Sequence, residues 1–211
     1  IISMSFPSSG GILLGQMMKA IEKFDLSKIP HNSAEYIQLL TEIERRAFAD
    51  RSDLMGDPDF MNLPVYEFMD EEYIEERMKS FSWEEATPSS EIKPGEVIFN
   101  ESDETTHFSI IDKSGNAVSV TTTLNNSFGS KVYVENSGFF LNNEMDDFSS
   151  KPGYPNFFGV LGSEANSIQP GKRMLSAMTP TIVLKNNKPK LILGSPGGPS
   201  IITSVFQTIL N

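Results

Sequence analysis

"TTHFSIIDKSGNAVSVTTT", residues 105–123, is where the period of the chain changes, and it decides the fold class. Before it, apolar residues recur at helical spacing. From Thr106 to Ile111, and again from Ala117 onward, they alternate with polar ones, the period of a half-buried strand. "DKSGN" (112–116) is a turn signal between the two runs, so the stretch predicts a β-hairpin. Its register follows from pairing like residues on like faces. Numbers summing to 228 match Phe108 with Val120 and Ile110 with Val118 on one face. The opposite face then pairs Thr105 with Thr123, His107 with Thr121 and Ser109 with Ser119. A hydroxyl-lined face behind an apolar one suits a strand at the edge of a cleft. On local grounds alone, two threonines opening a strand are ordinary, since β-branched residues favour extended backbone.

Working back from this hairpin, Leu13, Met17, Ala20, Ile21 and Phe24 predict a helix over 12–24. "HNSAEYIQLLTEIERRAFADR" predicts a stronger one, with Ser33 as cap and Tyr36, Leu39, Leu40, Ile43 and Ala47 on one face. "GDPDF" (56–60) breaks it. A third, acidic helix is expected near 70–81, its charge read as a solvated face, and "TPSSEIKPGE" reads as a linker. Working forward, "TIVLKNNKPKLILG" predicts a second hairpin, with strands over 181–185 and 190–194 about an Asn-rich turn. "GSPGGPS" and a helix from about Ser200 follow. A strand, glycine turn and helix N-terminus can present backbone N–H groups to an oxyanion, although Gly197-Gly198 also reads as a plain tight turn.

The 211 residues allow one substantial core, and 38% hydrophobic with 21% charged content disfavours disorder. A net charge of −11 argues against a nucleic-acid surface, which needs clustered Lys and Arg. The charge is uneven: residues 1–104 hold 9 basic and 22 acidic residues, and residues 105–211 hold 8 and 6. With no cysteine there is no thiol nucleophile, disulfide or thiolate metal site, and two histidines are too few for a histidine-based metal cluster. No apolar run approaches the roughly 18 residues of a membrane span. "IISMSFPSSGG" does not read as a signal peptide, and "SVFQTILN" stops within an apolar periodic segment. An internal piece of a longer protein is expected.

Four stretches together resemble the γ-glutamyltranspeptidases, members of the N-terminal nucleophile hydrolases: residues 105–130, "NNEMDDFSSKPG" (142–153), "GKRMLSAMTPTIV" (171–183) and "GSPGGPSIIT" (194–203). "PSSGGI" (7–12), "ADRSDLMGDPDF" (49–60) and "TPSSEIKPG" (87–95) extend the resemblance over essentially the whole chain. It implies an α+β fold, the four-layer αββα sandwich, present here in part. It also implies a precursor that cleaves itself between Glu104 and Thr105, with 1–104 belonging to a large subunit and 105–211 to a small one. The freed Thr105 would be the nucleophile. A hydroxyl needs a base, and a terminal α-amine with a reference pKa of roughly 7.7–8.0 can take its proton near neutrality.

The remaining roles implied by the resemblance fall on particular residues. Thr123 would hydrogen-bond the nucleophile, and Gly197 and Gly198 would form the oxyanion hole. Asp147, assisted by Glu144 and Asn125, would accept the α-ammonium of a γ-glutamyl donor, although Asp146-Asp147 also reads as a solvated turn. Ser176 would hold the donor's α-carboxylate. Ala177 replaces the family's second serine, and Pro199 stands where serine is commoner. "KPGYPNFFG" (151–159) resembles a lid with Phe158 at its aromatic position, and also fits a plain surface loop. The implied reaction moves a γ-glutamyl group from glutathione or a related compound to water or to an amino-acid or peptide amine. It requires no cofactor and no metal. Family members are usually exported, so a periplasmic or extracellular location is expected. Rival readings are a poly-γ-glutamate hydrolase or acylase of the same superfamily, and an inactive structural fragment.

Overall fold

The computed structural model describes residues 1–62, 65–92 and 105–211. Four α-helices, five short 3-10 helices and three antiparallel hairpins account for the regular structure there, the mixed composition expected of an α+β fold. Helix α1 (Gly10–Ile21) starts two residues before the predicted position. The reason is a clamp on its leading turn: the Ser9 N–H and hydroxyl both donate to the Ser176 carbonyl, at 3.0 and 2.9 Å. Helix α2 (Ala34–Leu54) begins where its cap was expected, the Ser33 hydroxyl accepting from Tyr36 N at 3.1 Å. Helix α3 (Glu71–Met78) is capped by Asp70, and its acids all face outward, Glu71 and Glu75 pairing with Lys23 and Glu76 with Lys79. Helix α4 (Ile201–Leu210) follows the glycine turn.

Burial of the stripes read from sequence builds one core. Leu13, Met17 and Ile21 of α1 meet Tyr36, Leu39, Ile43 and Ala47 of α2, and Ile202, Val205 and Phe206 of α4 close it. Leu175, Ala177 and Leu193 join from the second half of the chain, so the core crosses the expected subunit border. Inside it, Arg46 donates to Glu42 and reaches Thr87 Oγ1 at 3.0 Å, fixing the segment after α3.

The first hairpin, β1 (Thr105–Ile111) with β2 (Ala117–Thr123), has the predicted register throughout, from Thr105 opposite Thr123 to Ile111 opposite Ala117. Its hydroxyl face packs inward. The Ser119 hydroxyl donates to Leu193 O at 3.0 Å and accepts from Thr181 N at 3.1 Å. The apolar face points outward, leaving Phe108, Ile110 and Val118 exposed. A short hairpin, β3 (Tyr133–Val134) with β4 (Phe139–Phe140), lies between the two predicted ones. The last pairs β5 (Thr181–Lys185) with β6 (Lys188–Leu193). Strand β6 begins two residues earlier than predicted, because Asn186 and Asn187 adopt left-handed conformations and close a two-residue turn. Pro189 is then tolerated opposite Leu184, beside an irregularity in the register.

β1 and β2 pack against β6, and glycine makes this approach possible. A Cβ on Gly194 would lie 2.3 Å from Nδ1 of His107. That histidine bonds Thr121 Oγ1 and Ser109 Oγ at 2.9 and 3.0 Å, and burial lowers its pKa. No helix among the described residues is long and apolar enough to cross a membrane.

Candidate active site

Thr105 and Thr123 sit opposite each other at the end of the first hairpin, on the inward face, and both line a cleft. The cleft encloses about 720 Å³ including its open mouth. Asn125, Asp147, Phe158, Ser176 and Gly198 line it too. Residues scattered over 94 positions of sequence, from 105 to 198, thus converge on one space. Gly197 is buried and is not among the lining residues, and Glu144 stands one turn from Asp147 outside the lining. Glu104, and with it the expected scissile bond, lies outside the described residues.

Local chemistry fixes each position. Asn125 follows β2 in a left-handed conformation, φ +75°, with its N–H donating to Thr123 Oγ1 at 2.9 Å. That bond occupies an acceptor site of the Thr123 hydroxyl and leaves its proton to be donated elsewhere. The Asn125 amide donates to Asn143 O at 3.1 Å, tying the strand end to the acidic turn. In that turn the two aspartates divide. Asp146 holds the 151–159 loop, accepting from Phe157 N at 2.9 Å, so it is not simply solvated; Asp147 faces the cleft. Burial and the neighbouring Glu144 carboxylate raise Asp147 to about 7, against the pull of Arg51. Burial raises Glu144 as well.

Ser176 is held from three sides. Its N–H donates to Pro7 O at 3.0 Å, Ser9 takes its carbonyl, and its hydroxyl accepts from Met178 N at 3.1 Å. The segment before it is anchored by Arg173, which donates from N and Nε to the fully buried Asp57 at 2.8 and 2.9 Å. These bonds hold the Asp57 carboxyl well below its usual range. Gly197 and Gly198 have φ of +123° and +51°, a turn that side chains resist. The Phe158 ring passes so close that a Cβ on Gly198 would be 3.5 Å from it, so the loop lies over the glycine turn. Ala177 also lines the cleft.

Sequence reasoning gave no role to Arg51, Asn156 or Asn166, all of which line the cleft. Asn166 accepts from Leu175 N at 3.0 Å and donates to Asp147 O at 2.7 Å, joining the segments that carry Asp147 and Ser176. Nothing in its surroundings, "GSEANS", marks it. Arg51 had a signal: it falls on the apolar face of α2, one turn beyond Ala47.

The sequence pattern of the family described as Gamma-glutamyltranspeptidase matches residues 1–211. The chain belongs to the γ-glutamyltranspeptidase family. It is 51% identical over 207 residues to the glutathione hydrolase proenzyme of Pseudomonas aeruginosa, covering 97% of this chain and 36% of that protein. With the glutathione hydrolase proenzyme of Escherichia coli it is 47% identical over 211 residues, again spanning 36% of the relative's length. Similarity extends to the acylase ACY 1 proenzyme of Pseudomonas sp. strain SE83, 35% identical over 205 residues, covering 97% of this chain and 34% of that protein. Among solved structures, cephalosporin acylase from Bacillus halodurans superposes over 99% of this γ-glutamyltranspeptidase-family chain and 34% of its own, with a TM-score of 0.73 at 20% identity. The two share a fold.

Proposed function

We propose that the protein of which this chain forms part cleaves itself before Thr105 and then transfers or hydrolyses γ-glutamyl groups. The observation that carries this reading is the convergence of Thr105, Thr123, Asn125, Asp147, Ser176 and Gly198 on one cleft. In the precursor the Thr105 hydroxyl attacks the Glu104 carbonyl, its proton passing to the departing amide nitrogen. That shift frees the Thr105 α-amine, and water then opens the resulting ester, releasing the Glu104 carboxyl group and restoring the Thr105 hydroxyl. In turnover that amine takes the hydroxyl proton as Thr105 attacks the donor's γ-carbonyl, and the leaving amine departs with a proton. Water or an amino-acid or peptide amine releases the acyl group. The N–H groups of the glycine turn, from Gly198 at the cleft and from Gly197 next to it, stabilise the tetrahedral oxyanion, a contribution of roughly 3–4 kcal/mol for a well-placed donor. Asp147, with Glu144 and Asn125, receives the donor's ammonium, Ser176 its carboxylate, and Phe158 covers the site.

The same reading places the chain within a four-layer αββα sandwich, split into two subunits at residue 105 in an exported protein. It is tested by incubating the full-length precursor with a chromogenic γ-glutamyl anilide. Release of the anilide with saturation kinetics is expected; a cleaved precursor without turnover would contradict it.

Ala177 supports a second reading, a longer γ-glutamyl polymer or another acyl compound as donor, since it supplies the cleft with a methyl where the family's second serine is expected. Ala177→Ser would add a hydrogen bond to a carboxylate, worth about 1.5–3 kcal/mol if well aligned. A gain on both glutathione and a γ-glutamyl oligomer fits glutathione-like donors. Opposite changes in kcat/KM on the two would favour the second reading.

A further inference from the structure

Arg51 is held differently from Arg46, the other buried arginine, and from the more exposed Arg77 and Arg173. Arg46 has Glu42, Arg77 has Asp50, and Arg173 meets the buried Asp57, each within ion-pair distance. Arg51, 7% exposed at the cleft, forms no ion pair among the described residues. Its Nε donates to Ser9 Oγ at 2.9 Å and Nη2 to Leu175 O at 3.4 Å. Most of the planar donor fork is left uncommitted there. Burying such a cation is costly, and burial lowers its pKa to about 10, which still leaves it charged at neutral pH.

Its two partners belong to the substrate-side framework. The Ser9 hydroxyl donates onward to Ser176 O, and Leu175 precedes Ser176 directly. Asn166 carries the connection from Leu175 N to Asp147 O. The charged groups acting on Asp147 are Glu144 and Asp146 on its own turn and Arg51 from α2; the proposed cleavage would add the α-amine of Thr105, which lines the same cleft. Among the described residues Arg51 is therefore the one side-chain cation set against these two carboxylates.

We propose that Arg51 is a positioning residue for the donor site: its guanidinium fixes Ser9 and the Leu175–Ser176 backbone, and supplies the positive field that offsets Glu144 and Asp146 around Asp147. It acts through Ser176 and Asp147, not by touching the donor. The inference rests on the γ-glutamyl reading above.

The test uses the full-length precursor and its Arg51→Gln, Arg51→Lys and Ser9→Ala variants. Self-cleavage, KM, kcat and the pH profile of kcat/KM are measured on a γ-glutamyl anilide. Arg51→Gln is expected to raise KM about tenfold or more with a smaller change in kcat. Loss of the cation should also move the acid limb of kcat/KM upward, by about one pH unit. Arg51→Lys should restore the limb but not the KM, because an ammonium cannot fork between Ser9 and Leu175. Ser9→Ala keeps the charge, so KM should rise with the limb unmoved, and this variant decides the matter if neither Arg51 variant folds. Variants that give less cleaved protein, but whose surviving fraction has the parent's KM and acid limb, would overturn the proposal. An inactive parent precursor would defeat the γ-glutamyl reading and this inference together; an active parent matched by its variants would defeat the inference alone.

Discussion

At the scale of single residues, the site places a carboxyl where binding and stability conflict. Asp147 is raised to about 7 chiefly by burial, yet in the proposed role a donor ammonium needs it ionised. In the full-length enzyme, kcat/KM for a γ-glutamyl donor should therefore rise with pH through about 7 as the carboxyl loses its proton. Asp147→Asn should lower kcat/KM sharply and flatten that limb while leaving self-cleavage intact, since cleavage binds no amino acid. The variant should also be more stable than the parent above pH 7. An acid whose folded pKa is raised loses stability as pH climbs from its ordinary value of 3.8 to the folded one, so the advantage should shrink as pH falls from about 7 toward 3.8. Thermal melts of the two proteins at several pH values check the sign. Asp147 was expected near the site only through the resemblance of "NNEMDDFSSKPG" to the family, and the structure places it at the cleft. The division of labour with Asp146 was not legible in the sequence, because it depends on a loop N–H that arrives from Phe157, 11 residues away.

Elements were legible where one period or one cap decides them, and less so where partners distant in sequence do. The register of β1 and β2 follows from alternation within a single stretch, and Ser33 opens α2 by a bond to Tyr36 three residues on. Ser33→Ala should cost about 1 kcal/mol, read as a lower midpoint in denaturant with an unchanged slope. The start of α1 and the holding of Ser176 depend on bonds spanning more than 160 residues, which no local pattern encodes. The packing of β1 on β6 is of the same kind. Gly194→Ala would drive a methyl into the His107 ring and should cost about 1–3 kcal/mol. Because β1 begins at Thr105, this variant should also lower turnover more than its stability loss explains; a destabilised enzyme with the parent's kcat/KM would argue that β6 does not position the nucleophile.

For the whole molecule, the outstanding sequence feature is the border at residue 105, acidic before and slightly basic after. Charge is not what joins the halves. Leu175, Leu193, Ile202, Val205 and Phe206 share one core with α1 and α2, so apolar burial crosses the border. The cleaved protein should therefore stay assembled in gel filtration at about 1 M salt, where the screening length is about 3 Å, and separate only in denaturant. Dissociation by salt alone would contradict this. The four-layer sandwich implied by the resemblance goes beyond what the described residues form: their β structure consists of separate two-stranded sheets, and the outward face of Phe108, Ile110 and Val118 has no partner layer among them. All of this depends on Thr105 acting as both cleavage and turnover nucleophile. The most direct measurement is the intact mass of the full-length precursor beside its Thr105→Ala variant: the account predicts two chains from the parent, the smaller beginning at Thr105, and a single uncut chain from the variant. Two chains of the same masses, apart from the substitution, in Thr105→Ala would contradict it.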